Sequence, residues 1–377
     1  MTPFFTASAV PFKLFMLESI WDYAREKLEQ AGESSRYRER HLDYFLRFAE
    51  EAAPQIRGPA QREWLSRVEY EEINLRFAVE TSEELPGLIP HGLRILTAVQ
   101  RYVEVRGRFK ETRELFTRLL AHPDAAPRNV IRARALAAAG QLAWVADHCA
   151  ECARIQEEAL AIFRELGDRS GAGFALVDLG FLAIDEKDFA RARALLDEAW
   201  SISLELNDPR LTAHASHTGA ALAAMEHDFA GALALDETAL ALSRENGDRW
   251  QVAIAAWSAG MNAAALGEFA MAHDRLRECI EIGLDLGNRW GSSYPLEAFA
   301  TLAVAEKRFE RAAHLFGAAE AQRNRAGVVA KPADHPASLH ILATHPEFGG
   351  TAVDAARMAG RTLTPEAAIE FALAERT

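Results

Sequence analysis

The sequence predicts an all-α protein built as a solenoid of tandem antiparallel helix pairs. One residue pattern returns every 40 positions, and apolar side chains inside it recur at helical spacing. Ala and Leu dominate the composition, with Arg and Glu next, and all four residue types favour helices. The 377 residues are 49% hydrophobic, which is enough apolar material to bury a core rather than leave the chain disordered.

The repeated pattern keeps one register over six units. Each unit contains a helix that starts at an aromatic residue, or at Cys in one case, after a short polar turn. The six starts are Phe109, Cys149, Phe189, Phe229, Phe269 and Phe309. Because no insertion interrupts the spacing, the units are expected to stack as equivalent helix pairs.

Signals at the helix ends divide each unit into two helices. After Phe189, apolar residues follow at 192, 195, 196 and 199, the spacing of one helical face. The second helix of a unit ends at a residue that tolerates left-handed backbone. These residues are Gly167, Asn207, Gly247 and Gly287. We expect the Asp residues that follow the first three to cap the next helix, namely Asp168, Asp208 and Asp248.

Small residues recur at two fixed places in the units, where they let neighbouring helices approach closely. In the first helices they are Gly140, Gly180, Ala220, Gly260 and Ala300. In the second helices they are Cys152, Ala192, Ala232, Ala272 and Ala312. With the aromatic start of the second helix, this arrangement reproduces the pattern of the tetratricopeptide repeat.

Residues 100–327 therefore resemble the tetratricopeptide repeat family, which implies a right-handed α-solenoid with a concave binding groove. The period of 40 residues is longer than the family's usual length of about 34, and the family's recurrent proline is missing, although Pro209 comes close. The resemblance implies a protein or peptide partner in the groove.

The two ends of the chain differ from the repeats. Residues 12–80 include MLESIWDYAREKL, RHLDYFLRFAEEA and WLSRVEYEEINLRFAVE. These phrases resemble the junction between a winged helix and the repeats in bacterial NB-ARC (STAND-type) ATPase regulators. We therefore divide the chain into an N-terminal helical segment (1–90), a solenoid (91–328), and an irregular loop with C-terminal capping helices (329–377).

This resemblance implies the sensor portion of a signal-responsive transcriptional regulator. The chain has no GxxxxGK[ST] phosphate loop and no visible helix-turn-helix reader, so the family's ATPase activity is not carried over. No constellation of catalytic residues is visible, and we expect a non-catalytic interaction or scaffold module without a cofactor. A small-molecule or metal-sensing module is the alternative.

Charge and cysteine content limit the partners and the compartment. The formal net charge is -13, which argues against direct nucleic-acid binding. Three cysteines give no disulfide framework and suit the cytoplasm. Lys13 and Glu18 interrupt the apolar start of the chain, so no signal peptide is expected. No apolar run is long enough for a transmembrane helix, and no membrane association is expected.

Three groups of residues contain side chains that can bind a metal or take part in redox chemistry. Cys149 and Cys152 form a CxxC pair, but they replace the Phe and Ala of the other units, so a packing role is favoured. His214 and His217 are three residues apart on a predicted helix without a third ligand. His335, His340 and His345 lie in the predicted irregular loop. We therefore predict no metal site.

The groove itself should be lined by the first helix of each unit. Mapping the groove positions implied by the resemblance gives a mixture of aromatic, Met and polar side chains, which suits a peptide anchored by large side chains. These candidates are Arg134, Gln141, Trp144, Phe181, His214, His217, Met225, Trp257, Met261, Tyr294 and Glu297. Phe174, Val177 and Thr301 also fall on these positions. For any one residue of the whole set, packing between helices is an equal alternative.

Overall fold

A computed structural model of the chain describes residues 18–145, 149–288, 293–326 and 335–374. These residues form twenty α-helices and one short 3-10 helix, and they contain no strand, so the predicted fold class is confirmed. No helix in these ranges is long and apolar enough to span a membrane.

Seven helices precede the regular repeats. They are α1 (Glu18–Gln30), α2 (Ser34–Gln55), α3 (Gln61–Tyr70), α4 (Glu72–Glu84), α5 (Ile89–Ala98), α6 (Gln100–Arg106) and α7 (Phe109–Ala121). Helices α2, α4 and α5 pack on one another, and α5 and α7 pack on the first helix of the next unit. The N-terminal helices therefore share one continuous core with the repeats.

Ten helices form five regular pairs. They are α8 (Val130–Val145) and α9 (Cys149–Leu166), α10 (Arg169–Asp185) and α11 (Phe189–Leu206), α12 (Pro209–Met225) and α13 (Phe229–Asn246), α14 (Arg249–Ala265) and α15 (Phe269–Asp285), and α16 (Ser293–Ala305) and α17 (Phe309–Ala326). The two helices of each pair pack closely, and α10, α12, α14 and α16 also pack on one another in sequence. This stacking builds the solenoid that the 40-residue register predicts.

The predicted helix ends are confirmed. Gly167, Asn207, Gly247 and Gly287 all have positive φ, between 49° and 72°. The carboxylates of Asp168, Asp208 and Asp248 accept hydrogen bonds from backbone N–H groups in the first turns of α10, α12 and α14. The turn inside a pair uses the same device, since Asp188 and Asp228 cap α11 and α13.

Small residues allow the helices to approach, as predicted. Ala192, Ala232, Ala272 and Ala312 are all fully buried. A Cβ atom added at Gly260 would lie 2.8 Å from the side chain of Leu276, and one at Gly140 would lie 2.8 Å from that of Gln156. Larger side chains at these positions would push the paired helices apart.

Ion pairs between successive units follow the repeat. Arg164 binds Glu198 at 2.7 Å, and Arg244 binds Glu278 at 2.7 Å two units later. In both cases the partner lies in the second helix of the next unit. Exposed pairs of this kind contribute little energy each, so they add little to the stability of the solenoid.

Three further helices follow the repeats, namely α18 (Pro336–Thr344), α19 (Thr351–Gly360) and α20 (Pro365–Leu373). Helix α19 packs against α17, and α20 packs against α16 and α17. Helix α18 lies in the stretch 329–350 that was interpreted as irregular. It packs on α12, α14 and α16, and this burial of Ala337 and Ile341 explains why a helix forms there.

Candidate functional site

The solenoid bends so far that its N-terminal helices meet the fourth regular pair. Gln61 donates to the Asp248 carboxylate at 3.0 Å and accepts from the Trp250 backbone N–H at 3.0 Å. One step along the same edge, Arg62 lies 2.8 Å from Asp285, and the Arg106 guanidinium donates to the Leu286 carbonyl. These contacts join the N-terminal segment to the fourth pair, across from the inner faces of α8, α10 and α12.

Asp248 is the centre of this junction. Its carboxylate caps α14 and also lies 3.1 Å from the guanidinium of Arg101, which binds Glu104 at 2.9 Å. Arg101 and Gln61 are both buried. A buried charge is tolerated where it is paired and hydrogen-bonded, and Arg101 meets that condition through two carboxylates.

A row of amide side chains crosses the inner face. The Gln100 side chain donates to the side-chain amide oxygen of Gln141. The Gln141 side chain in turn donates to the Asp178 carboxylate at 2.8 Å. Gln156 also donates to Asp178 at 3.1 Å, and to the Ala137 carbonyl at 3.0 Å. This row links α6, α8, α9 and α10, and it places the predicted groove residue Gln141 on the inner face.

Burial changes the protonation of two neighbouring groups in this row. It raises the pKa of the Asp178 carboxyl to about 7, although hydrogen bonds from Gln141 and Gln156 act in the other direction. Burial also lowers the pKa of His214 to about 3, with further lowering by His217 and by nearby arginines. His214 is therefore neutral at pH 7, at 3.9 Å from Asp178.

Three arginines lie near His214. The guanidinium groups of Arg57, Arg101 and Arg210 are all close enough to lower its pKa. Arg210 lies over the ring of Phe174, at 6.0 Å from the centroid, and that ring lies 5.9 Å from His214. We call the surface formed by Arg57, Gln141, Phe174, Asp178, Arg210 and His214 the inner site.

A second polar group lies deeper along the solenoid, among helices α12, α13, α14 and α18. His217 lies 3.3 Å from the buried Asp236 carboxylate, which accepts from Asn262 at 2.9 Å. Ser258 lies 3.2 Å from His335, and His335 packs edge-on against Trp257 at 5.0 Å. Because Asp236 and Ser258 are buried, this group supports α12, α13, α14 and α18 rather than facing a ligand.

Helix α18 occupies the groove over the last units. It lies against α12, α14 and α16, so Trp257 and Tyr294, which contact each other at 6.1 Å, are partly covered. Met261 is 0% exposed inside the second core, and Glu297 is buried beside its partner Arg323. The structure gives Met261 and Glu297 packing positions, as it does Val177 and Thr301.

The other predicted groove residues are dispersed. The side chain of Arg134 is 62% exposed at the edge of the groove, 3.9 Å from Asp168. Phe181 is half-buried, and Met225 packs beside the cluster around Ala183 and Leu196. The side chain of Trp144 lies outside the described residues. The structure thus brings only Gln141 and His214 together in the inner site, with Phe174 between the arginine and the histidine.

No metal site is visible in the ranges that the structure covers, where no group of three or more His, Cys, Asp or Glu side chains converges. Cys152 is buried in the core at the small-residue position. His148 and the Cys149 side chain lie outside the described residues. His335 and His345 are the N-terminal and C-terminal cap residues of α18, and His340 lies within that helix.

A cavity of about 370 Å³ lies elsewhere, between the outer helices α13 and α15. Its lining includes Ser243, Arg244, Gly247, Arg249, Val252 and Glu278. A smaller cavity of about 90 Å³ is lined by Phe163, Arg164, Gly167, Arg169, Ala172 and Glu198, which are the same positions two units earlier. The cavity is therefore a feature of the repeat geometry and not a specific site.

Comparison with known proteins supports the fold. No family model matches the sequence, and no curated protein matches it. A solved structure of a Rap protein complexed with competence and sporulation factor is similar over 83% of this chain and 98% of that one, at 12% identity and a TM-score of 0.52. The structure of BtubC (BKLC) from P. vanneervenii covers 66% of this chain and 92% of its own, at 17% identity and a TM-score of 0.40. The first similarity supports a tetratricopeptide-like helical repeat for this chain.

Arg57, Arg101 and Arg210 were missing from the sequence-based candidates. Arg57 follows α2 and Arg101 lies in α6, outside the regular repeats, so mapping by repeat position does not reach them. Arg210 stands at the start of α12, before the mapped groove positions. One sequence feature does mark Arg210. It follows Asp-Pro at 208–209, whereas in two other units the Arg directly follows the capping Asp, at 168–169 and 248–249.

Proposed function

We propose that this chain is a non-catalytic module that binds a peptide, or an extended segment of a protein, in the inner site. The observation that carries the proposal is the closure of the solenoid through Gln61, Arg101 and Asp248. It turns the concave face of α8, α10 and α12 into an enclosed surface on which side chains offer both donors and acceptors. An extended backbone requires both, because each residue has an N–H and a C=O to satisfy.

The lining of the inner site agrees with this function. Gln141 and Asp178 present amide and carboxyl groups, and Phe174 presents a half-buried aromatic ring. Aromatic anchors beside polar groups that fix orientation are typical of peptide recognition. The solved Rap structure that shares this fold contains competence and sporulation factor, which adds support from a protein of the same architecture.

We further propose that the module is the sensor portion of a signal-responsive transcriptional regulator. The resemblance of residues 16–80 to the junction that precedes the repeats in STAND-type regulators supports this role. Residues of that junction also contact the solenoid, since Gln61 reaches Asp248 and Trp250. A ligand in the inner site would touch both sides of this contact. Ligand binding would thereby change how the N-terminal helices are held.

A small-molecule or metal-sensing role is favoured by no feature of the described residues.

Selection from a displayed library of random decapeptides tests the binding function. We expect wild-type protein to enrich related sequences, and we expect Phe174→Ala and Gln141→Ala to weaken the resulting peptides at least tenfold in titrations. Leu204→Ala is the matched control, because Leu204 is an exposed apolar residue on the outer helix α11. Enrichment of no peptide, or equal binding by all variants, would contradict the proposal.

A further inference from the structure

Helix α18 lies on the concave side of the last repeats. It packs on α12, α14 and α16, which are the first helices of their pairs. Among the described residues it has no extensive contact with α17 or α19, although these helices precede and follow it in the chain. The contacts that α19 and α20 make with α16 and α17 therefore do not involve α18.

Helix α18 is attached to the groove through one of its faces. Ala337 and Ile341 are four residues apart, so they share a face, and both are buried in the second core. Leu339 lies on the opposite face and is 54% exposed. Because a helix of nine residues is not stable alone in water, α18 is helical as a result of docking. In this respect it resembles a short peptide helix bound in a groove.

A single histidine anchors the N-terminal end of α18. The Nδ1 atom of His335 accepts a hydrogen bond from the Ala337 backbone N–H at 3.2 Å. Since burial lowers the pKa of His335 to about 3, the ring is neutral and its proton lies on Nε2. Nε2 then donates to the Ser258 hydroxyl of α14 at 3.2 Å. One side chain thus caps α18 and also fixes it to the floor of the groove.

The fit of α18 to the groove is incomplete at Trp257. The indole Nε1 is buried, and no acceptor among the described residues binds its proton. His335 contacts the Trp257 ring edge-on at 5.0 Å, but both of its nitrogens are already engaged and neither can accept. A buried donor without an acceptor is costly. An occupant with an oxygen at this place would therefore fit the groove better than α18 does.

We propose that the surface beneath α18 is a docking site for a short amphipathic helix of a partner protein, and that α18 fills it in the unbound chain. The partner helix places a small and an aliphatic residue, four positions apart, where Ala337 and Ile341 lie. It also brings an oxygen acceptor to the Trp257 indole. The surface shares no residue with the inner site, so binding at the two places can be tested separately.

The test uses a fluorescent peptide with the sequence of residues 333–346 as its probe. The double variant His335→Ala/Ile341→Ala removes the anchor and the main apolar contact of α18 but leaves the surface beneath it intact. We expect this variant to bind the probe about tenfold more tightly than wild type, because the intramolecular competitor is weakened. Leu339→Ala is the matched control, since that side chain is exposed. Equal binding by all three proteins would overturn the proposal.

A substitution scan of the probe tests the acceptor. Gln is placed at each position in turn, and at one position it should tighten binding to the double variant about fivefold, the gain from one net hydrogen bond. Trp257→Phe in the same background should remove this gain, because it keeps an aromatic ring without the N–H. A scan that finds no such position would contradict the chemistry assigned to the partner helix.

Hydrogen exchange of the wild-type protein gives a result that does not depend on how any variant folds. We expect the amides of 336–344 to exchange about tenfold faster than those of α16, because α18 opens locally while the repeats stay folded. Equal protection of the two helices would show that α18 is a permanent part of the core and would overturn the proposal.

Two controls separate this surface from the other ways of explaining probe binding. Phe174→Ala in the double variant should leave probe binding unchanged, because Phe174 belongs to the inner site, and a loss would place the probe there instead. Sedimentation should show wild type as a monomer. Dimers that form in wild type but not in the double variant would assign the surface to α18 of a second copy and overturn the partner helix.

Discussion

The Arg101 guanidinium lies 3.1 Å from the Asp248 carboxylate, across 147 residues of sequence. This contact joins α6 to the first turn of α14 and closes the solenoid around the inner site. Arg101 is held from its own side by Glu104, and Asp248 is held by Gln61. The same carboxylate therefore caps a helix, as its equivalents do in earlier units, and fixes the N-terminal helices against the fourth pair.

Asp248→Ala should destabilise the protein more than the same change in an equivalent cap. Loss of a cap alone costs about 1 kcal/mol, and loss of one of the two carboxylates that pair with the buried Arg101 adds up to about 3 kcal/mol. Asp168→Ala is the matched control, because Asp168 caps α10 but has only the exposed Arg134 beyond it. Urea unfolding measures the free energy of unfolding of both variants. Equal decreases would show that the contacts of Asp248 with Arg101 and Gln61 add nothing to stability.

Arg57→Met should leave the free energy of unfolding unchanged or raise it. The substitution removes a partly enclosed charge that has no direct partner in the described structure while keeping an apolar stem of similar length. Arg101→Met should instead lower the free energy of unfolding by about 3 kcal/mol, because the substitution leaves Asp248 and Glu104 without their shared partner. Denaturant unfolding of the two variants compares them directly. Marked destabilisation by Arg57→Met would assign Arg57 a structural role and weaken the case for a ligand.

Asp178→Asn should flatten the dependence of stability on pH. The folded-state pKa of Asp178 is about 7, above its ordinary value of 3.8, so its contribution is fully present below pH 3.8 and is lost as the pH rises through 7. Asn accepts the same hydrogen bonds from Gln141 and Gln156 without ionising. We expect wild type to lose on the order of 2 kcal/mol more than the variant between pH 5 and 8. Parallel pH profiles would show that Asp178 titrates normally.

Gly317→Ala should detach α19 from α17. A Cβ atom at Gly317 would overlap the carbonyl of Arg357, which is backbone and cannot move aside. Gly219→Ala is the control, because the new Cβ would meet Leu235 at 3.5 Å, an ordinary contact, and helix propensity favours Ala by about 1 kcal/mol. Hydrogen exchange should rise in residues 351–360 for the first variant only. Unchanged exchange there would mean that α17 and α19 stay packed in spite of the added methyl group, and would contradict the prediction.

The repeats were predictable because their physical causes are local. Helix caps such as Asp208 and Gly247, and buried small residues such as Ala232, depend on neighbours along the chain and recur in register. The inner site depends instead on closure between α6 and α14, which no repeat position encodes. Helix α18 was missed for a similar reason, since its short sequence becomes helical where Ile341 is buried against other helices.

Photocrosslinking of a selected peptide tests the central claim, that the ligand lies in the inner site. The peptide would carry a benzophenone side chain at each position in turn, and mass spectrometry would locate its attachment. We predict attachment to residues 174–178, 210–214 and 57–61, which contain residues of the inner site. Attachment confined to the outer cavity around 244–249, or to helix α18 alone, would contradict the account.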